Sequence, residues 1–237
     1  MFSLSLFLGV ANYSSHILEA DLAELIQSLV AEKSNQKCIL VAHDWGGVIA
    51  WRLAQHWPEL VDRFIVLNAP HGKAWLYRLS VSWKQFAASW YMFFFNFPLL
   101  PEWSFRSHDF RIFNILFGKY CKSLEEIDVY KYYFSQPYGI TGPLNYYRAM
   151  LRGYDGGKLS QTQPIDNKPN LVQPPTLIIW GRDDDALIPE LAQDSAKGCH
   201  NAQVEYLDNC SHWIQFQRPQ QVNEIMNKFL QQKHSQQ

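Results

Sequence analysis

Asp44 lies in the pentapeptide HDWGG, between a strand-like and a helix-like segment. Residues 38–42 form an unbroken apolar run, typical of a parallel strand buried on both faces, and residues 48–54 have helical spacing. The two glycines permit a sharp turn with a close backbone approach. A carboxylate at such a turn can attack an electrophilic carbon and form an ester, and the helix N-terminus behind it helps to keep it ionised. The alternative interpretation is an aspartate that caps a helix in another doubly wound fold.

Two further groups with catalytic potential follow the apolar runs later in the chain. Three consecutive aspartates at 183–185 come after the strand-like residues 176–180, and His212 comes after the strand-like residues 202–207. Nucleophile, acid and histidine in this chain order is the arrangement used by the α/β-hydrolase fold. The order favours a catalytic interpretation of Asp44 over the helix cap.

The elements that must position these residues alternate between strands and helices. An amphipathic helix near residues 18–30 precedes the Asp44 strand, residues 63–68 form a second buried strand, and a closing helix covers residues 222–230. Between the second and third strands the chain becomes helical and aromatic. We therefore predict an α/β fold with a mostly parallel sheet, helices on both faces and an inserted helical cap. The predicted segments are an apolar N-terminus at 1–11, core at 12–72, cap at 73–170 and core at 171–237.

Composition excludes some classes of function. Lys plus Arg is 21 and Asp plus Glu is 22 in 237 residues, without a basic run, so no nucleic-acid partner is expected. The four cysteines, at 38, 121, 199 and 210, lack disulfide-framework or metal-site spacing and predict reduced thiols in an intracellular protein, cytoplasmic or membrane-associated. Residues 1–11 are apolar but shorter than the ~20 residues of a membrane span.

Several motifs together resemble the α/β-hydrolase epoxide hydrolases, most closely the animal epoxide hydrolase 4 branch. They are HDWGG, the NAP turn at 68–70, GPLNYYRAM at 142–150, WGRDD at 180–184 and NCSHW at 209–213. HDWGG alone is similar to the motif of dehalogenases, whereas its combination with GPLNxYR is more specific. The resemblance, from about residue 12 to the end, implies hydrolysis of a small-molecule epoxide, expected to be lipophilic, to a diol. It implies no metal and no organic cofactor.

The resemblance also implies roles for individual residues. Asp44 matches the nucleophile, and Tyr147 matches the cap tyrosine that donates a hydrogen bond to the epoxide oxygen. A phenol can supply the proton that this oxygen needs as the ring opens. Alignment of the aromatic run before the first cap proline makes Tyr91 the second tyrosine, and the alternative for Tyr91 is a packing role.

His212 matches the general base, which would take a proton from the water that attacks the Asp44 ester. A neutral imidazole needs an orienting acid on its other nitrogen, and the family spacing selects Asp184 for that role. His43 and Trp45 are interpreted as residues that shape the substrate pocket. The backbone N–H of Trp45 is expected to be an oxyanion donor.

One departure from the family pattern limits these expectations. Relatives carry the first half of the sheet and an HGxP loop upstream of the first helix, and this sequence contains no HGxP. We therefore expect a truncated α/β-hydrolase that is poorly soluble and weakly active or inactive. A haloalkane-type dehalogenase and a non-catalytic binding protein that holds a lipid or a protein partner are the alternatives. Membrane attachment and oligomeric state are left open.

Overall fold

A four-stranded parallel sheet lies at the centre of the computed structural model, which describes residues 9–30, 36–118, 123–154 and 171–232. In spatial order its strands are β1 (Cys38–His43), β2 (Val61–Leu67), β3 (Thr176–Gly181) and β4 (Ala202–Leu207). All neighbouring pairs are parallel, which requires a crossover connection between successive strands. The strands that the sequence predicts are all present.

Helices alternate with the strands along the described part of the chain. In chain order they are α1 (Ser15–Val30), α2 (Asp44–His56), α3 (Gly72–Val81), α4 (Trp83–Ala88), α5 (Trp90–Phe95), α6 (Leu100–Phe117), α7 (Leu124–Ser135), α8 (Thr141–Leu151), α9 (Glu190–Ala196), α10 (Ile214–Gln217) and α11 (Pro219–Gln231). Short 3₁₀ turns lie at Val10–Tyr13 and Pro58–Leu60. The closing helix predicted near residues 222–230 lies within α11.

The chain divides into two compact units. Of the described residues, the helical unit contains 9–14, 89–118 and 123–154, and the sheet unit contains 15–30, 36–88 and 171–232. The predicted domain bounds remain a prediction. Helices α3 and α4, which fall within the predicted cap, belong to the sheet unit, and residues 155–170 lie outside the described residues.

Helices cover both faces of the sheet, because successive side chains of a strand point to opposite faces. On one face, residues of β2, β3 and β4 pack against the helices at the C-terminal end of the chain in a cluster formed by Ile65, Leu67, Leu177, Ile179, Leu207, Cys210, Ile214, Val222 and Phe229. On the other face, Phe64 packs edge-on against Trp51 of α2, with ring centroids 4.9 Å apart. The predicted architecture of a parallel sheet with helices on both sides is thereby confirmed.

The prediction that residues 38–42 form a strand buried on both faces is wrong. Ile39 and Val41 of β1 are 50% and 44% exposed. The physical reason is position, because within the described part of the chain β1 pairs with β2 alone and forms the edge of the sheet. Helix α11 lies over the inner strands, where the Arg63 guanidinium of β2 donates to the carbonyls of Phe229 and Leu230.

The helical unit is held together by a buried ion pair. The Arg148 guanidinium of α8 donates to both carboxylate oxygens of Glu102 in α6, at 2.6 and 2.9 Å. It also donates to the carbonyls of Phe95 and Phe97, at 3.0 Å each, and so ties α8 to the end of α5 and the turn after it. Helix α6 has non-helical backbone angles at residues 107–110, where it kinks.

The described part of the chain includes only the end of the apolar N-terminal segment and three of the four cysteines. Residues 1–8 and Cys121 lie outside the described residues, and Val10–Tyr13 forms a 3₁₀ turn whose Tyr13 ring packs edge-on against Tyr146. Cys38, Cys199 and Cys210 are free thiols. Across the described ranges, the helices are too short or too polar to cross a membrane.

Candidate active site

Asp44 occupies a strained turn between β1 and α2. Its φ angle is 51°, in the left-handed region that non-glycine residues rarely adopt, and such strain often accompanies function. A Cβ atom on Gly47 would lie 2.3 Å from the Cβ of Ala69, whereas one on Gly46 would meet nothing within 4 Å. Only Gly47 is therefore required for the close approach that was expected of both glycines.

His212 lies between two carboxylates. Its Nε2 atom is 3.4 Å from Oδ1 of Asp44, and its Nδ1–H donates to Oδ2 of Asp184 at 2.7 Å. The side chain of Asp184 is fully buried and that of His212 is 16% exposed, whereas the Asp44 carboxylate is 39% exposed. The structure thus brings together the nucleophile, base and acid that the resemblance implies, with the nucleophile open to solvent.

Asp184 is the one buried aspartate of the 183–185 run. Its Oδ1 atom accepts hydrogen bonds from the backbone N–H groups of Ala186 and Leu187, at 2.8 and 3.0 Å. Asp183 and Asp185 are exposed. This arrangement fixes the carboxylate orientation and leaves Oδ2 to accept hydrogen bonds from side chains, including that of the imidazole.

Charges in the site favour an ion pair between His212 and its neighbours. Burial alone would lower the pKa of His212, but hydrogen bonds and charge interactions with Asp184 and Asp44 outweigh it and raise the pKa to about 10. Burial would raise the pKa of Asp44, yet the interactions with His212 and His43 and the backbone N–H of Trp45 hold it below its ordinary value. The resting site therefore contains an imidazolium and an ionised nucleophile at neutral pH.

Sequence reasoning assigned no role to Asn68, which connects the acid to the sheet. Its Nδ2–H donates to Oδ2 of Asp184 at 2.7 Å, and its Oδ1 accepts from the backbone N–H of Gly181 at 3.0 Å. Asn68 is fully buried, with a φ of 39°. Its position in the sequence could have indicated a role, because functional sites form at the carboxyl ends of parallel strands. Its residue type points the same way, since asparagine tolerates the left-handed region.

His43 contacts the loop that carries the base. Its Nε2–H donates to the backbone carbonyl of His212 at 2.9 Å, and its Nδ1 accepts a longer bond from Gln215 at 3.4 Å. Its ring lies 4.7 Å from that of His212 and 5.3 Å from that of Trp213. Burial and the nearby positive charge of His212 lower the pKa of His43, so it is neutral and supports the loop. Its role in the substrate pocket stays a prediction.

Trp45 places a backbone donor at the nucleophile. Its N–H donates to the Asp44 carboxylate, which is the position expected of an oxyanion donor. The group lies at the start of α2, where the helix dipole adds positive potential. The part of its indole ring in substrate binding stays a prediction.

Tyr91 and Tyr147 are neighbours within the helical unit. Their ring centroids are 5.7 Å apart in an edge-on arrangement, and Phe95 packs 5.0 Å from Tyr147. Tyr91 lies on α5 and Tyr147 on α8, the two elements that Arg148 connects. The structure pairs the two phenols selected from the sequence, and their catalytic role stays a prediction. Within the described residues, no group of three or more His, Cys, Asp or Glu side chains is arranged to hold a metal ion.

Comparisons with known proteins identify the family of the chain. Epoxide hydrolase 1 of Caenorhabditis elegans is 34% identical over 93% of this chain and 54% of its own length, and human Epoxide hydrolase 4 is 32% identical over 92% and 59%. The chain thus spans a little over half the length of these curated relatives. A crystal structure of a mutant epoxide hydrolase from Bacillus megaterium superposes with a TM-score of 0.81 and 26% identity, over 95% of this chain and 78% of that one. The family described as alpha/beta hydrolase fold matches residues 12–219, so the chain belongs to that family.

Proposed function

We propose that this chain hydrolyses an epoxide to a vicinal diol through an ester formed on Asp44. The observation that carries the proposal is the position of His212, with Nε2 directed to Asp44 and Nδ1 bonded to Asp184. A carboxylate nucleophile beside an acid-oriented histidine suits two-step hydrolysis through a covalent intermediate. The names of the similar proteins support epoxides as the substrate class.

In the first step, an Asp44 carboxylate oxygen attacks one epoxide carbon, and the bond between that carbon and the ring oxygen breaks. The oxygen released takes a proton from a phenol, for which Tyr147 and Tyr91 are the proposed donors. A phenol with an ordinary pKa near 10 protonates an alkoxide readily and stays neutral before the reaction. The product of this step is a hydroxyalkyl ester on Asp44.

Ester formation changes the charge of the base. The ester removes one of the two negative charges beside His212, so the pKa of the imidazole falls and its proton is released to restore the phenol. The neutral ring remains oriented by the bond from Nδ1–H to Asp184. Nε2 is then free to accept a proton.

In the second step, a water molecule gives one proton to Nε2 of His212, and its oxygen attacks the carbonyl carbon of the ester. The backbone N–H of Trp45 stabilises the oxyanion that forms. The bond between this carbon and the alkyl oxygen breaks, and the diol leaves with the proton of the new carboxyl group. Asp44 returns to its ionised form beside the imidazolium.

We propose a lipophilic substrate for the same site. Aromatic side chains lie beside the proposed phenols in the helical unit, where Phe95 packs against both Tyr147 and Tyr91 and also against Phe105, at 5.7 Å. Aromatic side chains of this kind bind apolar surface and leave few polar partners to solvate a small hydrophilic epoxide.

The proposal is tested by incubating the protein with a panel of epoxides and measuring diols by mass spectrometry. The panel includes styrene oxide, stilbene oxide and an epoxidised fatty acid. We expect diol formation that Asp44→Ala abolishes and that Asp183→Ala, an exposed aspartate of the same formal charge, leaves unchanged. Circular dichroism checks that both variants are folded.

Two outcomes would replace the proposal. Release of chloride from 1-chlorohexane without any diol from the epoxides would identify a dehalogenase, which shares the nucleophile. Tight binding of lipid with no turnover of either substrate class would identify a binding protein.

A further inference from the structure

Large apolar side chains of the helical unit are exposed on α5, on the first part of α6 and in the turn that joins these helices. We call this set the turn patch, and its members are Trp90 (65% exposed), Phe97 (57%), Leu99 (79%), Leu100 (46%) and Trp103 (68%). Single exposed apolar residues are ordinary on protein surfaces, but a cluster of this kind marks an interaction site.

Local hydrogen bonds order the segment that carries the patch. The backbone N–H of Phe97 donates to the carbonyl of Phe94 at 3.1 Å, and that of Trp103 donates to the carbonyl of Leu99 at 2.9 Å. The Trp90 ring packs 6.2 Å from that of Phe94. The exposed side chains are therefore held on consecutive turns of one compact segment.

The backbone at the tip of the patch is strained. Leu99 has a φ of 62°, in the region that favours glycine, and a leucine there costs on the order of 1–3 kcal/mol. Leu99 is also the most exposed member of the patch. Glycine would avoid this cost in backbone strain. The strained, exposed leucine is therefore better explained by a contact with a partner molecule than by a contribution to folding.

The charges around the patch are basic. The single carboxylate within residues 89–107 belongs to Glu102, which is 13% exposed and paired with Arg148. Arg106 is exposed and has no ion pair within the described part of the chain. Arg152 is exposed and bonds to Asn96 in the turn itself. Residues 89–107 thus combine apolar surface with Arg106 and no uncompensated acid, and Arg152 adds a second guanidinium group at the turn.

We propose that the turn patch docks the protein on a bilayer that contains anionic phospholipids. Leucine and phenylalanine side chains at the tip enter the boundary of the acyl chains, and tryptophan rings lie at the headgroup level that they favour. Arg106 and Arg152 face lipid phosphates, which attract basic groups near a membrane surface. Docking does not depend on the proposed reaction.

The experiment is flotation of the 237-residue protein with vesicles of phosphatidylcholine and phosphatidylserine in a 4:1 ratio at low ionic strength. Flotation separates bound protein from aggregates, which sink. We expect Leu99→Gly and Trp103→Ser each to weaken partitioning about tenfold, the effect of about 1.4 kcal/mol of lost apolar transfer. Arg106→Glu should weaken binding about fivefold or more, and this loss should shrink as salt is added.

Matched controls separate docking from folding and from catalysis. Leu99→Gly relieves the backbone strain, so its melting temperature should not fall while its binding does. Leu29→Ala removes a leucine of similar exposure on α1, at 72%, and should bind vesicles as the parent protein does. Asp44→Ala should also bind as the parent does, which keeps this test distinct from that of the proposed function.

Three results would overturn the proposal. The first is absence of the parent protein from the floating fraction. The second is equal loss of binding in Leu29→Ala and Leu99→Gly. The third is a parent protein that does not bind vesicles and that light scattering shows to be a dimer, when the Leu99→Gly variant is a monomer. The patch would then bind a second copy of the chain.

Discussion

Replacement of Asp44 by asparagine should lower the pKa of His212. The decrease measures how strongly the Asp44 carboxylate stabilises the imidazolium. Asparagine has nearly the same shape as aspartate and tolerates a φ of 51°, so the turn should survive the change. In the parent protein the two carboxylates at 3.4 and 2.7 Å raise the pKa of His212 to about 10. The substitution removes the charge beside Nε2 and leaves Asp184, which bonds to Nδ1, in place.

The distance between the two groups sets the size of the effect. Two unit charges 3.4 Å apart attract by about 1 kcal/mol in bulk water and by about 5 kcal/mol at an effective dielectric constant near 20. Because the Asp44 carboxylate is 39% exposed, screening favours the lower half of this range. About 1–3 kcal/mol corresponds to a decrease of roughly 1–2 pKa units.

The assay is NMR titration of the imidazole nitrogens in protein labelled with ¹⁵N-histidine. We expect His212 to titrate near pH 10 in the parent protein and roughly 1–2 units lower in Asp44→Asn. Asp208→Asn is the control, because it removes an exposed carboxylate paired with Arg182 and changes the net charge equally. An unchanged titration of His212 in Asp44→Asn would refute the proposed coupling, and so would an equal shift in the control.

The same coupling predicts how stability depends on pH. The folded pKa of His212 lies above its unfolded value of about 6.5, so its contribution is complete below that pH and is lost as pH rises towards 10. The folded pKa of Asp44 is lowered, so its contribution is present above its unfolded value and is lost as pH falls through the folded one. The free energy of unfolding should therefore fall less steeply between pH 7 and 10 in Asp44→Asn than in the parent protein.

Two substitutions test the support of the site. Gly47→Ala should lower the free energy of unfolding by about 1–3 kcal/mol, because the added methyl group meets Ala69, whereas Gly46→Ala should not lower it, and urea unfolding of the pair will measure the difference. Asn68→Ala should cost about 2–4 kcal/mol, because it removes a hydrogen bond to a carboxylate and leaves a buried backbone N–H unpaired. Asn201→Ala, at an exposed position, is the control for thermal melts, and equal effects in the two asparagine variants would contradict the role of Asn68.

The order of strands and helices could be predicted because it depends on local patterns. Apolar runs in short segments mark parallel strands, and the glycine-rich turn marks the change from strand to helix at Asp44. The choice of Asp184 among three aspartates came from family spacing. The structure shows what distinguishes Asp184 from its neighbours: its carboxylate is buried and accepts hydrogen bonds from two backbone N–H groups.

The exposure of β1 could not be predicted from its apolar run alone, because such a run does not reveal which strand lies at the edge of a sheet. Ile39 and Val41 look like core residues in the sequence and are exposed in the structure for that reason. The role of Asn68 also depends on contacts across more than a hundred residues. Composition and spacing carry no record of such contacts.

Intact-mass spectrometry of His212→Gln after exposure to an epoxide tests the central claim most directly. Because the histidine acts only after the ester has formed, the variant should still be alkylated and then stall. The account predicts a mass increase of one substrate molecule, mapped by peptide sequencing to Asp44. A folded His212→Gln protein that carries no adduct, when the parent protein forms diol, would contradict the account, as would an adduct on another residue.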